Sequence, residues 1–274
     1  MLRWFGLIPR PRKCLLHKIH GEKTVNGVAK EGRVILITGA NRGIGKALAR
    51  KALELGAKKV YATAREESTL ASVKALDCER VVTLALDVTN QNQVNAAARA
   101  ASDVEIVINN AGMGTGAQLM ADDVVEKSKL EMDANFCGPM RMGVAFAPIL
   151  KANGGGAIAN VLSVAGLVNF PFAPTYSTSK AAGHSLTQGQ RAVLAGQNTL
   201  VCGIYPGPID TDMTAGMTVE KGPAEEVAVA VFEGLAKGAE EIFTDNMARG
   251  LAQSMKTDAK TVEESIAVQN QNVR

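Results

Sequence analysis

Tyr176 and Lys180 are four residues apart in Tyr176-Ser177-Thr178-Ser179-Lys180, a spacing that stacks them on one face of a helix. A phenol titrates near ~10 and is a poor base at neutral pH. A neighbouring ammonium favours the phenolate, so such a pair can give a proton to a ketone oxygen or take one from an alcohol. Helix surfaces also carry Tyr/Lys pairs that do no chemistry. The pair gains meaning only if a nucleotide site and a polarising hydroxyl fall at the same place. Ser163 is the candidate hydroxyl: it follows the apolar run 157–162 and stands thirteen residues before Tyr176. A strand end and a helix start can bring the two over one substrate.

The nucleotide site is sought near the start of the chain. Val34-Ile35-Leu36-Ile37 is a short apolar run of the kind buried on both faces of a parallel sheet. It leads directly into Thr38-Gly39-Ala40-Asn41-Arg42-Gly43-Ile44-Gly45. Ile44, Leu48, Ala52 and Leu55 then recur at helical spacing, ending near Gly56. Glycines between a strand and a helix N-terminus suit a pyrophosphate: Gly39 for the tight turn, Gly43 for close backbone approach, Gly45 for helix packing on the strand. The helix dipole and its unpaired amides complete the cradle. The alternative is a glycine-rich turn without a ligand. A second strand is expected over residues 59–64, with Arg65 at its tip. An acid at that tip would favour NAD, and a base favours the 2′-phosphate of NADP. Arg65 and Arg42 together would clamp that phosphate, which points to NADP(H). Glu66 and Glu67 lie close by, so NAD(H) remains possible, and Arg65 as a solvated loop residue is the plain alternative.

Further apolar runs at 81–86, 104–108, 157–162, 199–205 and 241–244 read as strands, with helical patterns at 91–101, 122–151 and 224–237 between them. The 122–151 stretch reads as one long helix, irregular near Gly138-Pro139. Strands alternating with helices imply an α/β fold: a single doubly wound parallel sheet of about seven strands, a Rossmann fold, with helices on both faces. Ligands then bind beyond the carboxyl ends of the strands, the edge on which each of these motifs falls.

Composition narrows the classes. The chain has 274 residues, 46% hydrophobic and only 4% aromatic, with 27 glycines and a net charge of +3. That suits aliphatic sheet and helix packing, and it argues against an aromatic nucleic-acid platform or a polyanionic partner. Cys14, Cys78, Cys137 and Cys202 are scattered without a CxxC, so neither a metal site nor a disulfide framework is expected, and a reducing, cytoplasmic setting is. Residues 1–31 differ from the body: Arg3, Arg10, Arg12, Lys13 and Lys18 stand among Trp4, Phe5, Leu7 and Ile8, and no acid occurs before residue 20. They read as a flexible basic extension, as a targeting or membrane-touching segment, or as a start-site artefact. No apolar run is long enough for a membrane span. The organisation expected is extension 1–31, catalytic domain 32–246 and a polar tail 247–274, helical at best.

Thr38 to Gly45 as TGxxxGxG, Asp87, Asn109-Asn110-Ala111-Gly112, Asn135, Ser163, Tyr176 with Lys180, and Pro206-Gly207 together resemble the short-chain dehydrogenase/reductase family over residues 32–245. The resemblance implies that Asn135, Ser163, Tyr176 and Lys180 form the catalytic group, with Asn135 helping to hold a water that links the lysine to solvent. It implies cofactor contacts from Gly39, Asn41, Arg42, Gly43, Ile44, Gly45, Arg65, Asp87, Val88, Asn110, Ala111, Gly112, Tyr176, Lys180, Pro206, Gly207, Ile209 and Thr211. Asp87 and Val88 would meet the adenine ring, although Asp87 or Thr89 could equally cap a helix. Leu162 departs from a serine common in the family, without touching the catalytic position. The implied activity is hydride transfer between a nicotinamide cofactor and a small carbonyl/alcohol substrate, in a homodimer or homotetramer. Two other readings stay open: reduction of a 3-oxoacyl group on a carrier protein, and a nucleotide-sensing protein that has lost catalysis. Residues 166–172 look like a pocket wall, and Met213, Met217 and the segment to Gly222 like a lid; packing alone would explain both.

Overall fold

Every residue of β1 (Val34–Ile37) is buried, with Ile35 and Ile37 facing one core and Val34 and Leu36 the other. This alternation on a wholly apolar strand is what a sheet covered on both faces requires. The structure, a computed structural model, describes Gly27 and residues 32–271. The expected extension 1–31 lies outside the described residues except for Gly27, as do residues 272–274.

β1 is followed by α1 (Gly43–Glu54), β2 (Lys59–Ala64), the short α2 (Ala71–Lys74), β3 (Val81–Ala85), α3 (Gln91–Ala100) and β4 (Ile106–Asn109). The second half holds α4 (Val124–Met132), α5 (Gly138–Ala152), β5 (Gly156–Val161), α6 (Pro174–Leu194), β6 (Thr199–Tyr205), α7 (Ala224–Lys237), β7 (Glu241–Phe243) and α8 (Asn246–Gln271), which is broken by a kink at Asp258. The seven strands form one parallel sheet in the order β3-β2-β1-β4-β5-β6-β7. The strand order reverses between β1 and β4, so a crevice opens there beyond the strand ends.

One face of the sheet packs against Leu48 and Ala52 of α1 and Val231 and Phe232 of α7. The other packs against Val94 of α3, Met142 and Phe146 of α5 and Leu194 of α6. No helix among the described residues is long and apolar enough to cross a membrane.

The structure corrects three local expectations. β4 starts two residues later than its apolar run and extends to Asn109, because its pairing with β5 carries Asn109 opposite Asn160. The N-cap of α3 is Asn90, whose side chain accepts from the amides of Asn92 and Gln93, rather than Asp87 or Thr89. The single helix expected over 122–151 is two helices joined by a π-helical turn, Asp133–Cys137. Pro139 has no N–H to return to the Asn135 carbonyl four residues back, so the regular ladder fails there. The break falls one turn before Gly138-Pro139 and contains Asn135.

Candidate active site

The turn after β1 is laced to the end of β4. The Thr38 hydroxyl accepts from the amides of Asn110 (2.9 Å) and Ala111 (2.9 Å). The Asn110 side chain donates to the carbonyls of Thr38 (2.9 Å) and Gly39 (3.0 Å). Gly39 has φ +64°, a conformation that disfavours any side chain, and a Cβ at Gly45 would stand 2.1 Å from the Gly39 carbonyl oxygen. The first turn of α1 has no side-chain cap, and Arg42 before it is extended. The amides of this first turn therefore have no side-chain cap, which suits an anionic phosphate. Gly43 faces Thr211, whose methyl group would lie 3.1 Å from a Cβ at 43. Asn41 sits in the turn itself.

Other residues expected at the cofactor have varied dispositions. Arg42 is ion-paired with Asp212 across the cleft mouth, both side chains largely exposed, while Arg65 is exposed at the tip of β2. Arg42 thus has a carboxylate partner, and an exposed pair of this kind holds it only weakly. Ile44 is half-buried, with part of its surface packed on the core. Asp87 accepts from the amide and hydroxyl of Thr89, at 2.9 Å and 2.7 Å. Val88 is buried against α5, where its methyl group would come within 2.9 Å of a Cβ at Gly138.

On the same edge, Ser163 follows β5 and accepts from the Ala165 amide at 3.1 Å, starting a short turn, Val164–Gly166. α6 begins at Pro174, a residue suited to a first helical turn, so Tyr176 and Lys180 both lie on its first two turns. The Lys180 ammonium stands 5.6 Å from the centre of the Tyr176 ring and donates to the Val161 carbonyl at 2.9 Å. It also borders Gly112, where a Cβ would be 3.4 Å from Nζ. Asn135, turned inward by the π turn, accepts from the Met113 amide (2.9 Å) and donates to the Met113 carbonyl (2.8 Å) and the Ser179 hydroxyl (2.9 Å). The fold therefore brings Asn135, Ser163, Tyr176, Lys180 and Gly112 to one place.

Burial sets the electrostatics. It pushes the Tyr176 phenol up to about 12, with Ser163 pulling the other way and the Glu131 carboxylate adding to the rise. It lowers Lys180 to about 8. In this state the lysine does not depress the phenol as its charge alone would. Burial disfavours both ions, and that outweighs their attraction. Tyr176 keeps part of its surface open, so a charge arriving in the cleft acts on it directly.

After β6, the Pro206 carbonyl accepts from the Val164 amide (3.0 Å), tying this loop to the turn after Ser163. The Gly207 amide donates to Asp245 (2.8 Å). Ile209 is buried and bridged to Gly222, and Thr211 forms a reciprocal cap with Thr214. Met213 is exposed on this short turn. Phe170 and Phe172 meet in a tilted arrangement with ring centres 5.6 Å apart, and Phe172 is exposed. Phe170 also lines a cavity of about 520 Å³ with Met247, Leu251, Val262 and Ile266 of α8, so the tail that carried no motif reaches this loop.

Sequence reasoning passed over Glu131 and Asp245. Asp245 caps α8 through the Ala248 amide while holding Gly207. An Asp three residues before a helical amide is a recognisable capping signal. Glu131 is buried one turn before Asn135, and its spacing to Asn135 was the available clue.

Comparison with known proteins agrees with this geometry. The family model described as short chain dehydrogenase matches residues 33–222. An uncharacterized oxidoreductase of Staphylococcus aureus (strain USA300) is 31% identical over 212 residues, 75% of this chain and 91% of the relative. The 3-oxoacyl-[acyl-carrier-protein] reductase FabG of Vibrio cholerae is 34% identical over 198 residues, 71% of this chain and 80% of the relative. A short chain dehydrogenase from Burkholderia cenocepacia J2315, solved in complex with NADP, is 40% identical with TM-score 0.81, covering 86% of this chain and 98% of that one. A Burkholderia phymatum short chain dehydrogenase/reductase, solved with NAD, is 27% identical with TM-score 0.76, covering 85% and 96%.

Proposed function

The chain belongs to the short-chain dehydrogenase/reductase family of oxidoreductases, and from that premise we propose that it interconverts a carbonyl and a secondary alcohol with NADP(H), using Tyr176 as general acid/base. The observation that carries this reading is the convergence of the Ser163, Tyr176 and Lys180 side chains beside Gly112, on the sheet edge that also bears the glycine turn.

The amides of the 39–45 turn would hold the phosphates, with Thr211 flanking them and Arg65 beside the adenosine ribose. Lys180 would hold the nicotinamide ribose, and Pro206, Gly207 and Ile209 would line the nicotinamide end. The bound nicotinamide supplies the hydride chemistry. Tyr176 gives its proton to the carbonyl oxygen in reduction and takes it back in oxidation. Ser163 donates a hydrogen bond to the same oxygen and stabilises the charge that develops there. Asn135 fixes Met113 and Ser179 around the pair. NADP(H) is favoured because the β2 tip carries Arg65 and no acid, and because the Burkholderia cenocepacia relative was solved with NADP. We place catalysis in residues 32–246. Association into a dimer or tetramer would use the exposed Met140 and Val144 of α5 and Val193 of α6.

A second reading, reduction of a 3-oxoacyl thioester on a carrier protein, draws support from the Vibrio cholerae relative. The test is a panel of ketones, secondary alcohols and a 3-oxoacyl thioester with NADPH and NADH, followed by nicotinamide absorbance. Turnover of at least one simple ketone, faster with NADPH, is expected. Tyr176→Phe should lower kcat/KM by at least about 100-fold while NADPH still binds. Activity that survived that change would overturn the mechanism.

A further inference from the structure

Glu131 is fully buried on α4, in a place the proposed chemistry does not use. A carboxyl is costly there unless its oxygens are hydrogen-bonded. Oε1 accepts both the amide (2.7 Å) and the hydroxyl (2.8 Å) of Thr115. Oε2 is buried without a hydrogen-bond partner among the described residues.

Asn135 stands four residues further along and grips Met113 by both its amide and its carbonyl. Two side chains one turn apart thus pin the segment after β4 on either side of Gly114. Gly114 is the residue that lies against the tyrosine: a Cβ there would be 3.4 Å from Cδ2 of Tyr176. Any slack in Thr115 passes through one residue to the phenol ring.

We propose that Glu131 is a positioning residue of the acid/base centre, which holds the 113–115 segment against the Tyr176 ring and sets its carboxyl group behind that segment. The inference rests on Tyr176 being the acid/base. The groups facing the phenol are the Lys180 ammonium from its own helix, the Ser163 hydroxyl from the end of β5, and Glu131 behind the segment after β4. Of these, Glu131 is the one negative charge, and it opposes the phenolate in the same sense as burial does. A carboxylate here keeps the phenol a proton donor, which suits reduction over oxidation.

The test is the pH profile of kcat/KM in both directions for wild type, Glu131→Gln, Glu131→Ala and Tyr176→Phe. Glu131→Gln retains an oxygen for Thr115 and removes the charge. Its alcohol-oxidation limb, which needs the phenolate, should move to lower pH by at least about 0.5 unit. Glu131→Ala should show the same displacement and also lose about 10-fold in kcat as the segment loosens, with NADPH affinity unchanged. If Tyr176→Phe is inactive and the Glu131→Gln profile coincides with wild type, the inference is overturned while the acid/base reading stands. If Tyr176→Phe keeps its activity, the reading beneath it fails. Should Glu131→Ala not fold, the Glu131→Gln profile decides alone.

Discussion

The turn after β1 and the turn after β5 lie on the same edge of one sheet, yet they are made of different material. The first is shaped by backbone. Its shape depends on a glycine at 45 that lets the helix pack close against the Gly39 carbonyl, and the groups it offers a ligand are main-chain amides. The second is shaped by side chains drawn from distant segments. Asn135 grips Met113 and Ser179, Glu131 grips Thr115, and Lys180 reaches the Val161 carbonyl. The donors of a backbone-made site are specified by the local turn, even though the Asn110 side chain ties that turn to the end of β4. A side-chain-made site needs several elements in register, and it can be retuned one atom at a time.

This contrast can be broken by mutation. The largest effect should come from Gly45→Leu, because the added Cβ meets backbone that has nowhere to go. Binding of NADPH, followed by fluorescence titration, should weaken by at least about 100-fold, the side-chain cluster notwithstanding. Retained binding would show that the turn does not need its glycine. Next comes Ser163→Ala. Loss of one donor to a developing oxyanion should lower kcat by about 100-fold and leave NADPH affinity within about two-fold. A comparable loss of cofactor affinity would erase the distinction between the two turns.

Arg65→Ala should raise the NADPH dissociation constant by about 10-fold and leave NADH unchanged, since one charge-assisted contact is worth roughly 1.5 kcal/mol or more. Equal effects on both cofactors would place Arg65 away from the 2′-phosphate. Arg42 sharpens the same point. Its pairing with Asp212 means that Asp212→Asn, which frees the guanidinium, should improve NADPH affinity if Arg42 reaches the phosphates at all.

The smallest effect concerns stability. Burial lowers Lys180 from 10.5 to about 8. The unfolded lysine therefore binds more protons than the folded one between those values, and stability rises with pH across that window. The penalty is full below about 8 and gone above the unfolded value. Urea unfolding at pH 7.5 and 9.5 should show wild type gaining on the order of 1 kcal/mol relative to Lys180→Met over that interval. Parallel behaviour of the two proteins would mean that the ammonium is solvated in the folded state.

Several elements were readable directly. The β1 run, the TGxxxGxG turn, β2, β6 and α7 lie where periodicity and composition put them, because each is specified by neighbours in the chain. Tyr176 and Lys180 share a face because helix geometry alone requires it. Other features had no local signature. Asn135 sits on a π turn because Pro139 withholds an amide, and its partners lie 22 and 44 residues away. Arg42 reads in sequence as half of a phosphate clamp, and only the fold sets Asp212, 170 residues later, beside it. Asp87 could be an adenine contact or a cap in sequence; in the fold one of its oxygens accepts from Thr89, and Asn90 does the capping. The C-terminal segment read as a featureless tail, but α8 and Phe170 enclose a cavity together.

The sequence by itself determined the sheet-and-helix alternation, the glycine turn and the Tyr/Lys spacing, because these depend on hydrophobic period, backbone sterics and one helical turn. Only the tertiary structure decided which groups surround the phenol, and with them its acidity. Burial and the Glu131 charge act through space, on a residue whose own neighbours in the chain say nothing of either.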